Sequence, residues 1–217
     1  MKLFVDTGNV KEVETLASLG VIDGATTNPS LMAKAGGDPR QIMKEICRLV
    51  QGPVSGEVVT TTADEMIREG REIASLDEHM VVKVPFTRDG VKACKTLAGE
   101  GIPVNVTLIF SATQALLAAK VGASYVSPFV GRLDDIATDG MHLVEEIVDI
   151  FENYDFGTEV LVASVRHPIH IVQAARLGAD VCTCPATVID AMFKHPLTDI
   201  GLEKFLKDWE KAQAVRA

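Results

Sequence analysis

Eight short runs of aliphatic and β-branched residues, each followed by a stretch with helical spacing, constrain the fold of this chain more than any other feature. The runs begin near Leu3, Ile22, Val54, Val81, Val104, Tyr125, Val160 and Val181. Several of them (LFVD, VVKVP, VNVTLIF, VLVAS) are apolar at successive positions, as expected of parallel strands covered on both faces. Between them, Asn9 to Leu19, Ala63 to Ser75, Arg88 to Ala98, Ser111 to Lys120, Gly140 to Asn153, Pro168 to Leu177 and Ala186 to His195 read as helices. The punctuation agrees: Asp38-Pro39 opens a helix, Ser111 can cap one and Gly178 closes one. Eight β/α units in 217 residues suit a small (β/α)8 barrel, the TIM-barrel architecture of the α/β class. A doubly wound sheet would show a glycine-rich phosphate loop after its first strand, and Thr7-Gly8-Asn9-Val10 matches neither GxGxxG nor a P-loop. The chain therefore reads as one domain over 1–217. An additional C-terminal helix at about 198–217 carries the only tryptophan, Trp209; it either caps the barrel or packs on a neighbouring subunit.

Composition narrows the function classes. Hydrophobic residues at 47% and charged residues at 24% describe an ordinary globular chain. A formal net charge of -9 argues against general binding to nucleic acid or an anionic membrane, while leaving room for a local basic pocket. Neither a signal segment nor an apolar run of about 18 residues is present, so a cytoplasmic location is the expectation. The four cysteines, Cys47, Cys94, Cys182 and Cys184, read as small buried hydrophobes. Cys-Thr-Cys puts two thiols on one strand face, but zinc sites use wider spacings and more ligands. No metal is expected.

In a barrel of this kind the active site collects at the C-terminal ends of the strands, and polar residues do gather there. Asp6 ends the first strand, Thr26, Thr27 and Asn28 the second; Glu57 lies in the third and Lys83 in the fourth. Asn105 and Thr107 fall in the fifth, Ser127 in the sixth, and Ser164 with Arg166 at the end of the seventh. Each has an ordinary reading. Asp6 could cap the first helix, the Thr26 to Pro29 segment could be a plain turn, Glu57 could face solvent, and Asn105, Thr107 and Ser127 could be satisfied core groups. Their joint placement at one end is the signal, because each buried polar group left unsatisfied costs about 1–3 kcal/mol.

Lys83 stands out because lysine is rarely buried without a partner. It could pair with a buried carboxylate for structural reasons. Alternatively, desolvation favours the neutral amine, which attacks a ketone to form a Schiff base, with Asp6 and Glu57 as the available acids and bases. Arg132, after the sixth strand, and Arg166, after the seventh, would hold a phosphate beside Ser164 through charge-assisted hydrogen bonds, unless both merely pair with surface acids such as Asp134. His167 and His170, with no matching metal-ligating partner apparent, read as structural.

DGATTNPSL (Asp23 to Leu31), VVKVP (Val81 to Pro85), NVTLIFS (Asn105 to Ser111), YVSPFVGRLDD (Tyr125 to Asp135) and VASVRHP around Ala163 resemble the transaldolase family, in the spacing of its short bacterial and archaeal branch. The resemblance runs from the first strand to the C-terminal helix. It implies Lys83 as the Schiff-base lysine, Asp6 as acid/base for carbon–carbon cleavage, and Glu57 as the partner of a catalytic water. It further implies Thr26, Asn28, Asn105, Thr107 and Ser127 as contacts to sugar hydroxyls or the water, Phe129 as pocket lining, and Arg132, Ser164 and Arg166 as the phosphate site. Related fructose-6-phosphate aldolases have glutamine at the position of Glu57 and tyrosine at that of Phe129, so both positions favour transaldolase. The resemblance also implies sugar-phosphate substrates, no cofactor, and a homo-oligomer, a pentamer or decamer.

Overall fold

The computed structural model of the chain describes residues 1–216. The first half runs β1 (Lys2–Asp6), α1 (Val10–Ser18), β2 (Gly24–Thr26), α2 (Pro29–Ala35), α3 (Pro39–Val50), β3 (Val54–Glu57), α4 (Ala63–Ala74), β4 (Met80–Pro85) and α5 (Arg88–Gly99). The second continues β5 (Val104–Ile109), α6 (Ala112–Lys120), β6 (Tyr125–Pro128), α7 (Val130–Asp134), α8 (Gly140–Asn153), β7 (Glu159–Val162), α9 (Pro168–Arg176), β8 (Val181–Cys184), α10 (Ala186–Met192) and α11 (Pro196–Arg216). The eight strands pair in parallel, each with its sequence neighbours, and β8 closes onto β1. The expected (β/α)8 barrel with a C-terminal helix is present.

Strand parity sorts the side chains. Outward positions such as Val5, Val54, Val82, Val84, Val104, Val106, Val126, Val160 and Val162 join the helices in one continuous apolar shell, and Cys182 and Cys184 belong to it. Burial pushes the thiols of Cys47, Cys94 and Cys184 up to about 12, and raises Cys182 as well, so all four cysteines are inert packing groups, as the sequence suggests. Inward positions divide by height. At the N-terminal end Phe4, Val81, Tyr125, Leu161 and Val181 form a small apolar plug. One pleat higher on β1, β4, β6 and β8 come Asp6, Lys83, Ser127 and Thr183, so each of these strands crosses from apolar to polar within two residues, while β7 stays apolar from Leu161 to Ala163.

Helix ends follow their sequence cues. Asn9, Asp38, Thr87 and Ser111 each cap a helix through the side chain, and Gly178 turns away from α9 at φ +84°. Three features differ from the sequence expectation. The second strand starts at Gly24 rather than near Ile22. Two helices of seven and five residues, α2 and α7, escape detection because neither completes two turns and periodicity needs a longer window. The last helix begins at Pro196 and does not cap the barrel: Leu197, Ile200, Leu202, Phe205, Leu206 and Trp209 are all exposed. Ala217 lies outside the described residues.

Gly24 is required by packing. It pairs in register with Phe4, and a Cβ there would lie 2.4 Å from the Phe4 ring, which fills the barrel floor with no exposure to solvent. Gly24→Ala should lower the thermal stability by about 1–3 kcal/mol, and adding Phe4→Leu should recover part of the loss. A Gly24→Ala protein as stable as the parent in a melting experiment would show that the floor is looser than this packing.

Candidate active site

The polar end of the barrel opens as a cavity of about 320 Å³. Asp6 from β1, Thr26 and Asn28 at the end of β2, Lys83 from β4, Ser127 from β6, Phe129 and Arg132 around α7, and Ser164 and Arg166 after β7 all line it. Register explains the convergence: Glu57 pairs with Lys83, Lys83 with Asn105, and Asp6 with Thr26, so inward residues on neighbouring strands stand side by side.

Lys83 is 5% exposed, and two acceptors meet its ammonium group. Nζ donates to the Thr27 carbonyl at 3.1 Å and lies 3.1 Å from Glu57 Oε2. Such a pair is no guarantee of stability, since desolvating both ions can cost as much as their attraction returns. Glu57 faces two ways: it touches Lys83, and it lines a second cavity of about 510 Å³ that reaches out to α2 and α3.

Asp6 is held by a hydroxyl relay. Its Oδ1 accepts from Thr26 Oγ1 at 2.7 Å, and Thr26 Oγ1 lies 2.7 Å from Thr183 Oγ1. A threonine hydroxyl has one hydrogen, so with Thr26 donating to the carboxylate, Thr183 must donate to Thr26. Burial raises the Asp6 carboxyl above its ordinary value, and this outweighs the opposing Lys83 charge and the Thr26 hydrogen bond. On the other side of Lys83, Asn105 is fully buried: its amide donates to Ser55 Oγ at 3.2 Å and accepts from Ser127 Oγ at 2.8 Å. Asn28 spends its Oδ1 on capping α2 at Leu31 N–H, 3.0 Å away, which leaves its NH2 group for the cavity.

Thr107 makes no side-chain hydrogen bond to any of the others. Its Oγ1 is buried with no hydrogen-bond partner, the one such side-chain atom among the described residues. The β5 register shifts beyond Val106 and Leu108 takes φ +60°; a bulge of this kind re-aims side chains near sites. An orphan hydroxyl costs stability unless a ligand or water completes it.

At the rim, Arg132 lies over the Phe129 ring with its guanidinium carbon 5.0 Å from the centroid. Ser164 holds φ +60°, a left-handed conformation uncommon for serine. Gly131 makes the close approach possible: its N–H donates to the Ser164 carbonyl at 3.1 Å, and a Cβ would lie 2.1 Å from that oxygen. The rim acids differ from expectation. Arg166 pairs with Asp135 at 2.7 Å, whereas Asp134 turns to His170 Nε2 at 2.9 Å. His170 therefore has the acidic partner that its sequence context hides, yet the described residues contain no group of three metal-ligating side chains.

Sequence reasoning missed Thr183, Ser55 and the Thr27 carbonyl. Parity is the signal that could have found the first two: Thr183 stands between two outward cysteines, and Ser55 precedes Glu57 by one full pleat.

A family model described as transaldolase/fructose-6-phosphate aldolase matches residues 3–216. The chain belongs to this family. Proteins named probable transaldolase accompany it: one from Aquifex aeolicus is 61% identical over 97% of both chains, one from Nitrosopumilus maritimus 58% identical over 99% of this chain and 97% of its own, and one from Syntrophobacter fumaroxidans 58% identical over the whole of both. Family membership makes the chain an enzyme and agrees with the resemblance carried by the strand-end motifs. No described helix is long and apolar enough to cross a membrane.

The raised Asp6 carboxyl carries a stability consequence. Its folded pKa exceeds the unfolded value of about 3.9, so ionised Asp6 is a cost above the folded pKa and none below the unfolded one. Asp6→Asn should melt at a higher temperature than the parent near pH 7, with the advantage shrinking as pH falls toward 4. Equal or lower melting temperatures across that range would mean that attraction to Lys83 outweighs burial.

Proposed function

We propose that the protein is a transaldolase, moving a dihydroxyacetone unit from a ketose phosphate to an aldose phosphate through an imine on Lys83. The observation that carries this reading is a buried lysine 3.1 Å from a carboxylate, in a cavity whose rim bears Arg132, Ser164 and Arg166. A nucleophilic amine, a proton acceptor and a phosphate anchor fit a phosphorylated ketose in an extended pose.

In the proposed cycle Glu57 takes a proton from Lys83, and the free amine attacks the ketone of fructose 6-phosphate or sedoheptulose 7-phosphate. Glu57 then returns the proton to the departing hydroxyl, water leaves and an iminium remains. Asp6 removes the proton from the hydroxyl on the fourth carbon; the bond to the third carbon breaks, and its electrons move into the iminium to give an enamine. A carboxyl with a raised pKa is the stronger base once ionised, and the Thr26–Thr183 relay keeps it oriented. One aldose phosphate departs and a second arrives; the enamine carbon attacks its aldehyde, the new hydroxyl takes the proton back from Asp6, and water hydrolyses the resulting iminium to free the ketose phosphate and Lys83. The iminium is the electron sink, so the reaction calls for no metal or organic cofactor.

Asn28, Asn105, Ser127 and the orphan Thr107 hydroxyl are assigned to the sugar hydroxyls and the catalytic water, and Phe129 to the wall. The carboxylate at Glu57 and the absence of a phenol at Phe129 favour transfer over release of free dihydroxyacetone. Cytoplasmic sugar-phosphate metabolism of the non-oxidative pentose phosphate type is the matching setting. The exposed apolar side chains of α11 support a homo-oligomer, a pentamer or decamer, with that helix in the interface.

Supplying fructose 6-phosphate with erythrose 4-phosphate should yield sedoheptulose 7-phosphate and glyceraldehyde 3-phosphate, and Lys83→Ala should yield neither. Fructose 6-phosphate alone should give less than one turnover of free dihydroxyacetone. Steady release without an acceptor would replace this reading with an aldolase.

A further inference from the structure

We propose that Asp134 and His170 are positioning residues that hold the two sides of the phosphate rim, α7 and the segment from Ser164 to Arg166, in one arrangement. The inference rests on the reading of that rim as a phosphate site.

His170 is 4% exposed, and both of its ring nitrogens are engaged. The Arg166 backbone N–H donates to Nδ1 at 3.3 Å, and Nε2 lies 2.9 Å from Asp134 Oδ2. An Nδ1 that accepts leaves the proton on Nε2, so the neutral ring donates to Asp134. Burial is the largest influence and lowers the His170 pKa, with the His167 and Arg166 charges acting the same way against Asp134. The His167 ring packs on it at 3.9 Å between centroids. Asp134 in turn accepts the Gly140 N–H at 3.0 Å through its other oxygen, which joins the end of α7 to the start of α8.

The connection matters because the rim consists of short and strained pieces. The five-residue α7 carries Arg132 and is fixed at its start by the Val130 and Gly131 N–H groups, which donate to the Ala163 and Ser164 carbonyls. At its other end Asp134 ties it to α8 through the Gly140 N–H and to α9 through His170, beside the Asp135–Arg166 ion pair. Ser164 sits at positive φ, a conformation that persists only where its surroundings impose it. The Arg166 N–H bond to His170 is one such constraint, two residues on. The single imidazole therefore bridges the two elements that carry the guanidinium groups, without itself reaching the cavity.

The test compares His170→Leu, His170→Asn and Asp134→Asn with the parent. A bridge that acts on phosphate alone predicts a KM for fructose 6-phosphate raised about tenfold in His170→Leu, the cost of weakening one charged hydrogen bond. Borohydride trapping of dihydroxyacetone, which has no phosphate, should proceed at the parent rate. His170→Asn, whose side-chain oxygen can still accept the Arg166 N–H, should recover part of the KM. Combined with Arg166→Gln, His170→Leu should add little further loss, since contacts that act through one another are not additive. Should His170→Leu fail to fold, the more exposed Asp134→Asn must show the same separation of KM from trapping. An unchanged KM, equal losses in both assays, or additivity with Arg166→Gln would overturn the proposal. If Arg166→Gln itself left KM unchanged, the phosphate reading would fail and the proposal with it.

Discussion

An ammonium group inside a barrel must be met by acceptors or it will not stay there, and that requirement organises the polar half of this molecule. Lys83 reaches one carboxylate oxygen and one backbone carbonyl. Both come from strands or strand ends on the same side, so the far side of the nitrogen faces the cavity. Asp6 stands across that cavity, where burial and the Lys83 charge pull its carboxyl in opposite directions. The two strands with the most demanding residues are therefore kept apart by β2 and β3, whose Thr26, Ser55 and Glu57 are small or polar and absorb the mismatch with hydrogen bonds.

Parity lets the same strands meet two incompatible demands. Outward side chains build an apolar shell with the helices, continuous around the barrel, and supply most of the burial that drives folding. Inward side chains are free to be apolar near the floor and polar near the mouth. Chemistry thus sits on the stiffest part of the fold without interrupting the core, and only the rim, built from α7 and the segment after β7, depends on loops. The rim also holds strain at Ser164 and a close backbone approach at Gly131.

Much of this was legible in the sequence because most strands are continuous apolar runs and the polar exceptions fall at fixed places within them. Lys83 and Glu57 could be placed side by side from strand order alone. Other features were out of reach for physical reasons. A five-residue helix has no periodicity to read, so the helix that carries Arg132 went unseen. Thr183 alternates with two cysteines read as buried, yet it went unnoticed because threonine is an ordinary strand residue. Which acid meets which rim base depends on the path of α7, and so Asp134 proved to belong to His170 and Asp135 to Arg166. Exposure of the α11 apolar face likewise depends on where the helix leaves the barrel, which no local pattern encodes.

The account stands on imine formation at one nitrogen. Peptide mapping after borohydride reduction in the presence of dihydroxyacetone measures this directly: the account predicts a single reduced adduct, on the peptide containing Lys83. An adduct on another lysine, or none while transfer activity persists, would contradict it.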